Sequence, residues 1–187
     1  MNGEPLPKVH GYPARLIVPG WDGASWVKWV TRITVQDQAG EGFFVKPAYR
    51  FPKHNVVPGA GAKPEDLETI EGMPVKSLIT SPQDKSRNAF GPLSIAGIAW
   101  AGEEKIARVE VSTDGGSRWA VAEITSPNLN FAWVLWRYAW KPARPGYYTV
   151  MSRATDSAGR LQPIEPVWNP SGYLWNAVDR IGVQIEG

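Results

Sequence analysis

From residue 75 onward the chain is a succession of short segments in which apolar side chains recur at every second position, each closed by glycine, proline, asparagine or aspartate. Alternation with a period of two sends successive side chains to opposite faces of an extended backbone, so this pattern commits most of the sequence to strands. The segments are 75–80, 93–100, 108–113, 118–124, 131–140, 147–155 and 181–185. Asp114-Gly115-Gly116 stands between two of them and reads as a hairpin turn, because glycine accepts positive φ at little cost. Strands so closely spaced predict a mainly β fold, an antiparallel sandwich of the immunoglobulin-like (E-set) kind. The Cys…Trp…Cys pattern of antibody domains is absent, since the chain has no cysteine. Residues 175–179 read as a short turn or helix before the last strand.

One strand breaks the rule of a single apolar face. In 131–140, Phe131, Trp133, Leu135 and Arg137 share one face, and Ala132, Val134, Trp136, Tyr138 and Trp140 the other. A sandwich strand with a solvated side alternates apolar with polar. The second apolar face is therefore expected to meet another domain or subunit, the alternative being a strand covered on both sides within the chain. Segment 93–100 behaves similarly, with Ile98 and Trp100 opposite Leu93 and Ile95.

The first 71 residues are less regular. Residues 14–18 read as a short strand stopped by Pro19-Gly20. Residues 26–35 read as a second, with Val27, Trp29, Thr31 and Ile33 on one face and Trp26, Lys28, Val30 and Arg32 on the other. Between 36 and 71, Pro47, Pro52, Pro58 and Pro64 and several glycines favour an irregular arm lying over other surfaces.

A chain of 187 residues with 43% hydrophobic and 20% charged residues is long enough to bury a core without cross-links. Zero cysteines removes disulfides, thiolate nucleophiles, iron–sulfur clusters and Cys-based zinc sites together. A net charge of +2, with Lys and Arg spread along the chain, gives no footing for nucleic acid. No apolar run approaches the ~18 residues of a membrane span, and the N-terminus has no signal-peptide core. Ten tryptophans need burial or partners.

Chemistry concentrates in His10 to Trp29. There His10, Arg15 and Lys28 flank two glycine turns, Pro19-Gly20 and Asp22-Gly23. Turns free backbone N–H groups, and Arg15 can fork onto a pair of anionic oxygens while Lys28 supplies a point charge, which together suit an anionic cofactor. Arginine and lysine ordinarily sit on solvated faces, and no P-loop or GxGxxG accompanies them, so residue types alone leave both readings open. The pairs Glu103-Glu104 and Glu65-Asp66 point to opposite faces and are poor acid–base partners. His10 and His54 make no metal site by themselves.

The ordered runs Asn2-Gly3-Glu4-Pro5-Leu6-Pro7, His10-Gly11-Tyr12-Pro13-Ala14-Arg15, Val18-Pro19-Gly20-Trp21 and Val27-Lys28-Trp29 resemble the sulfite oxidase family of molybdopterin oxidoreductases. The resemblance continues through Ser77-Leu78-Ile79-Thr80-Ser81-Pro82, Gly97-Ile98-Ala99-Trp100, Val109-Glu110-Val111-Ser112 and Asp114-Gly115-Gly116. It ends with Arg153-Ala154-Thr155-Asp156, Gln162-Pro163 and Val167-Trp168-Asn169-Pro170-Ser171-Gly172-Tyr173. It implies that residues 1–38 finish a mixed α/β molybdopterin-binding domain, 39–71 form a connecting arm, and 72–187 form the immunoglobulin-like dimerisation domain. His10 and Arg15 match residues that contact molybdopterin, and Lys28 the lysine of the following loop, with Ser25 and Trp26 beside it.

The same resemblance implies oxygen transfer at an oxo-molybdenum centre, electrons leaving to a cytochrome c-type acceptor, a homodimer and a periplasmic setting. The family holds its metal through a cysteine in the earlier part of the cofactor domain. The expectation is therefore a C-terminal portion, inactive alone, whose metal-holding part lies in the same or a separate chain. Many family members carry an arginine in the Trp-Asn-x-x-Gly segment; Trp168-Asn169-Pro170-Ser171-Gly172 has none, which bears on the substrate. A stand-alone structural or interaction sandwich is the alternative, and a carbohydrate-binding one a third.

Overall fold

Alternation in the second half of the chain is expressed as two facing sheets. A computed structural model describes Met1 and residues 3–187; Asn2, the first residue of the Asn2–Pro7 run, lies outside the described residues. The backbone divides into two units, Met1–Met73 with Val167–Leu174, and Pro74–Pro166 with Trp175–Gly187.

In the first unit, strand β1 (Arg50–Pro52) pairs antiparallel with β2 (Leu67–Thr69). Three short 3-10 turns, Lys8–His10, Gly23–Ser25 and Pro64–Asp66, punctuate the rest. The arm between 36 and 71 is thus not wholly irregular: Arg50 and Leu67, from its two halves, hold it in a small sheet.

The second unit contains β3 (Lys76–Ser81), β4 (Ser86–Ala89), β5 (Leu93–Trp100), β6 (Ile106–Ser112), β7 (Ala120–Val121), β8 (Glu123–Ile124), β9 (Val134–Trp140), β10 (Gly146–Asp156) and β11 (Asp179–Glu186). One sheet runs β4-β11-β10-β6-β7 and the other β3-β5-β9-β8. Every pairing is antiparallel except β11 with β4. Ile95, Ala99, Val134 and Trp136 from one sheet and Val109, Val111, Val150, Val183 and Ile185 from the other form one buried core. Ser77 and Ser152, facing each other across it, share a 3.0 Å hydrogen bond between their hydroxyls. Gln162 is 1% exposed and closes one end: its Oε1 accepts from the Ser77 and Ala154 N–H groups, and its Nε2 donates to the Ala177 carbonyl.

Several expectations change. Residues 14–18 and 26–35 are not strands; only Arg15 and Lys28 form an isolated antiparallel bridge. The ladder cannot grow because the Tyr12 N–H, which would extend it, donates to Pro7 O, and Pro13 has no N–H. Trp29 also turns the chain out of the extended region with φ 54°. Segment 118–124 is split: β7 joins β6 in one sheet, β8 joins β9 in the other, and buried Ala122 marks the crossing. The strand expected over 131–140 starts only at Val134, after Phe131 at φ 59°. Residues 175–178 form neither turn nor helix; the turn falls at Tyr173-Leu174. Asp114-Gly115-Gly116 does lie in the loop joining β6 to β7. Ser112 Oγ accepts the Gly116 N–H at 2.9 Å, and the loop folds back toward Met151.

Candidate functional site

Pro7 ends an extended entry, and the 3-10 turn Lys8–His10 that follows is closed by Gly11. Gly11 has φ 112°, and a Cβ on it would lie 3.1 Å from the Cβ atoms of both Arg15 and Lys28. Glycine at this position therefore lets the turn press against the roots of the two cationic side chains. The Leu16 N–H donates to Val27 O at 2.8 Å and the Val30 N–H to Ala14 O at 3.1 Å, fixing Arg15 opposite Lys28.

Backbone carbonyls then orient the charges. Arg15 donates through Nη1 to His10 O (3.3 Å) and through Nη2 to Trp26 O (3.1 Å), with its guanidinium carbon 5.8 Å from the centre of the Trp26 ring. Its Nε–H is buried without a partner among the described residues. Lys28 Nζ donates to Val9 O at 3.1 Å and lies 4.5 Å from the Trp29 ring centre, while Trp29 Nε1 donates to Lys8 O at 3.0 Å. Trp26 is pinned by its own Nε1 donating to Val18 O at 2.8 Å. Among the described residues neither Arg15 nor Lys28 is in an ion pair. Two cations on opposed bridge positions, neither in an ion pair among the described residues, suit an anion.

Four of the five expected residues, His10, Arg15, Trp26 and Lys28, converge. His10 joins through its carbonyl, and its exposed imidazole makes no hydrogen bond among the described residues. Ser25 serves the turn: its N–H and hydroxyl both bond Asp22 Oδ1, at 3.3 and 3.0 Å, leaving the hydroxyl free only to accept.

A pocket of the same unit, about 280 Å³, brings Tyr49 and Arg50, which the sequence did not single out, to Pro170, Ser171 and Tyr173. Tyr49, at φ 50°, stacks on Tyr173 with ring centres 5.4 Å apart. Asn169 makes two 2.9 Å hydrogen bonds to the Tyr173 backbone and shapes the Trp168–Tyr173 turn. Arg50 lines this pocket with Pro170 and Ser171, its Nη2 on Leu67 O at 2.5 Å and Nη1 on Val45 O at 3.3 Å. Arg50 thus lines the same pocket as the turn that lacks its own arginine. No periodicity surrounds Arg50, so only long-range folding could have revealed it. Among the described residues no three His, Cys, Asp or Glu side chains gather as a metal site.

A β-sandwich preceded by a cationic turn cluster defines a class that comparison with known proteins makes specific. Residues 67–186 match the Mo-co oxidoreductase dimerisation domain, and residues 1–44 match the oxidoreductase molybdopterin binding domain. The chain belongs to the Mo-co oxidoreductase dimerisation domain family, in sulfite oxidase-type proteins. It is 35% identical to the mitochondrial sulfite oxidase of Rattus norvegicus, over 99% of this chain and 35% of that protein. It is 32% identical to the inducible nitrate reductase [NADH] 2 of Glycine max, over 98% of this chain and 23% of that one. The crystal structure of the sulfane dehydrogenase SoxCD from Paracoccus pantotrophus superposes with a TM-score of 0.84 at 37% identity, covering 98% of this chain and 46% of that chain. The chain spans about a third of the length of the mammalian sulfite oxidases it matches.

Proposed function

We propose that this chain is the C-terminal part of a sulfite oxidase-type molybdenum oxidoreductase. Residues 1–38 complete a molybdopterin site, 39–71 connect, and 72–187 dimerise. The reading rests on Arg15 and Lys28, locked opposite each other and without carboxylate partners among the described residues. These residues fit a phosphate-bearing pterin. Their side chains are positioned before any ligand arrives, so little ordering entropy opposes binding, and the unpaired Arg15 Nε–H retains hydrogen-bonding capacity. Arg15 and Lys28 hold the anionic end, the His10 imidazole is free to donate or accept a hydrogen bond, and Trp26 with Ser25 keeps the loop in register. When bound, the cofactor supplies oxo-molybdenum oxygen transfer and two-electron chemistry toward sulfite or sulfane sulfur.

The partners proposed are a second copy of the chain, a metal-holding N-terminal portion, and a cytochrome c-type acceptor in the periplasm. No helix is long and apolar enough to cross a membrane among the described residues. In the complete enzyme Arg15→Ala is expected to lower molybdenum content severalfold while the far-UV spectrum of the sandwich is preserved; full metal retention would overturn the assignment. The second reading, a dimerising module without catalysis, is favoured by the self-contained core of the second unit. Sedimentation with metal analysis separates them, since a metal-free dimer that never pairs with a molybdenum domain supports the module.

A further inference from the structure

The cofactor cluster leaves one arginine of the first unit without a task. Arg50 opens β1 and lines the 280 Å³ pocket with Tyr49, Pro170, Ser171 and Tyr173. No carboxylate lines that pocket, and Arg50 is in no ion pair among the described residues. Val45 O takes one N–H from Nη1 and Leu67 O one from Nη2, so each Nη keeps a second N–H. Neutral backbone acceptors thus orient the guanidinium without cancelling its charge. The hydroxyls of Tyr49, Ser171 and Tyr173 make no hydrogen bond among the described residues, where only the backbone of Tyr173 is engaged, by Asn169. Tyr49 stands at φ 50°, a region that bulky side chains rarely enter, and backbone strain of this kind gathers at ligand sites. At 280 Å³ the pocket falls at the lower edge of the roughly 300–1,000 Å³ of small-molecule sites, which suits a small ligand.

We propose that Arg50 is a specificity-determining residue: it binds the charged end of the substrate, a small oxyanion of sulfur such as sulfite or thiosulfate. Calling that anion a substrate rests on the proposed function; the anion site itself rests on the pocket. Trp168-Asn169-Pro170-Ser171-Gly172 brings no charge, so the neutralising cation comes from the connecting arm, at a position 120 residues earlier. A guanidinium with an N–H left on each Nη can fork onto two oxygens of one anion, a geometry that a lysine ammonium does not reproduce. Uncommitted hydroxyls lining the same pocket supply hydrogen bonds that a dianion accepts. Arg50 therefore selects a charged sulfur compound over a neutral one.

Nuclear magnetic resonance of the full chain tests it, with sodium sulfite and sodium thiosulfate as probes and sodium chloride at equal ionic strength as the control. Either probe should shift the Arg50 side-chain N–H and Ser171 amide signals and saturate on the order of millimolar. Arg50→Lys should weaken that binding about tenfold, and Arg50→Gln should abolish it, with the β2 amides unmoved. Lys53→Gln, outside the pocket, should change nothing. If the Arg50 variants disturb β2, Ser171→Asp sets a carboxylate in the pocket and should abolish binding with Arg50 in place. Shifts no larger than those in chloride, or binding that survives both Arg50→Gln and Ser171→Asp, overturn the proposal. In the complete enzyme Arg50→Lys should raise KM about tenfold with kcat within about twofold, as for an interaction made equally in ground and transition states, and with molybdenum retained. A lowered kcat at unchanged KM overturns the substrate role. Phosphate that shifts Arg15 and Lys28 signals, with Arg50 silent to every anion, spares the proposed function and overturns Arg50. Anion binding at Arg50 in a protein whose Arg15→Ala form keeps all its molybdenum does the reverse.

Discussion

At the residue scale, two positions in the sandwich carry more than their size suggests. Gly97 faces the core under the Trp136 ring, where an added Cβ would lie 2.1 Å from Leu78 O and 2.3 Å from the ring. Neither backbone nor a buried indole can retreat, so Gly97→Ala should cost on the order of 3 kcal/mol, read as a lower urea midpoint at unchanged slope. Gln162→Leu keeps the volume and strands the buried N–H groups of Ser77 and Ala154; two unpaired donors should cost roughly 3 kcal/mol by the same measurement. Glu110 gives a pH signature. Burial pushes its carboxyl upward, but the hydrogen bonds and charge of Arg153, with help from Arg108, outweigh that and hold it below its ordinary value of 4.5. A depressed carboxylate stabilises the fold above its unfolded value and loses that contribution as pH falls through the folded one. Wild type should therefore exceed Glu110→Gln in urea midpoint at pH 6, and the gap should close progressively below pH 4.5; a gap constant to pH 3 would refute the coupling.

At the scale of elements, sequence and structure agree where alternation and burial act together. Strands β3, β5, β10 and β11 were legible because each buries one set of alternate side chains in a common core. Strand β4 was not, since Ser86, Arg87, Asn88 and Ala89 carry no apolar rhythm and pair only because the chain returns beside β11. The short pair β1 and β2 was hidden among prolines for the same reason. Segment 118–124 misled differently: its alternation is real, but at Ala122 it changes sheets, a topological event that periodicity does not encode. Residues 26–35 show the converse, a strand pattern without a partner. The candidate site divides along the same line. Arg15 and Lys28 stand out in the sequence because they sit among recognisable turns. Tyr49 and Arg50 were missed because they meet Ser171 and Tyr173 only through a contact spanning some 120 positions of sequence.

At the scale of the whole molecule, the two outer faces of the sandwich differ in kind, and that contrast bears on how copies associate. On the four-stranded sheet, Leu78 stands opposite Ile98 and Ile98 opposite Leu135, an apolar row across three strands. Trp133, 64% exposed, and Phe131, 52% exposed, lie just before β9 begins. On the five-stranded sheet the corresponding surface presents Glu110 between Arg108 and Arg153, with Arg153 stacked 4.1 Å from the Trp119 ring centre. A patch of apolar side chains crossing three strands gains free energy when it leaves water, whereas the charged face would have to surrender solvated ion pairs to do so. The proposed homodimer is therefore expected to form through the apolar row. Leu135→Lys places a charge at its centre, opposite Ile98 in register, and desolvating that ammonium in a two-fold interface would be required twice. The expected result is a monomer by sedimentation equilibrium with an unchanged far-UV spectrum, while Arg108→Glu on the other face leaves the dimer intact. A Leu135→Lys chain that still sediments as a dimer would move the interface away from this sheet.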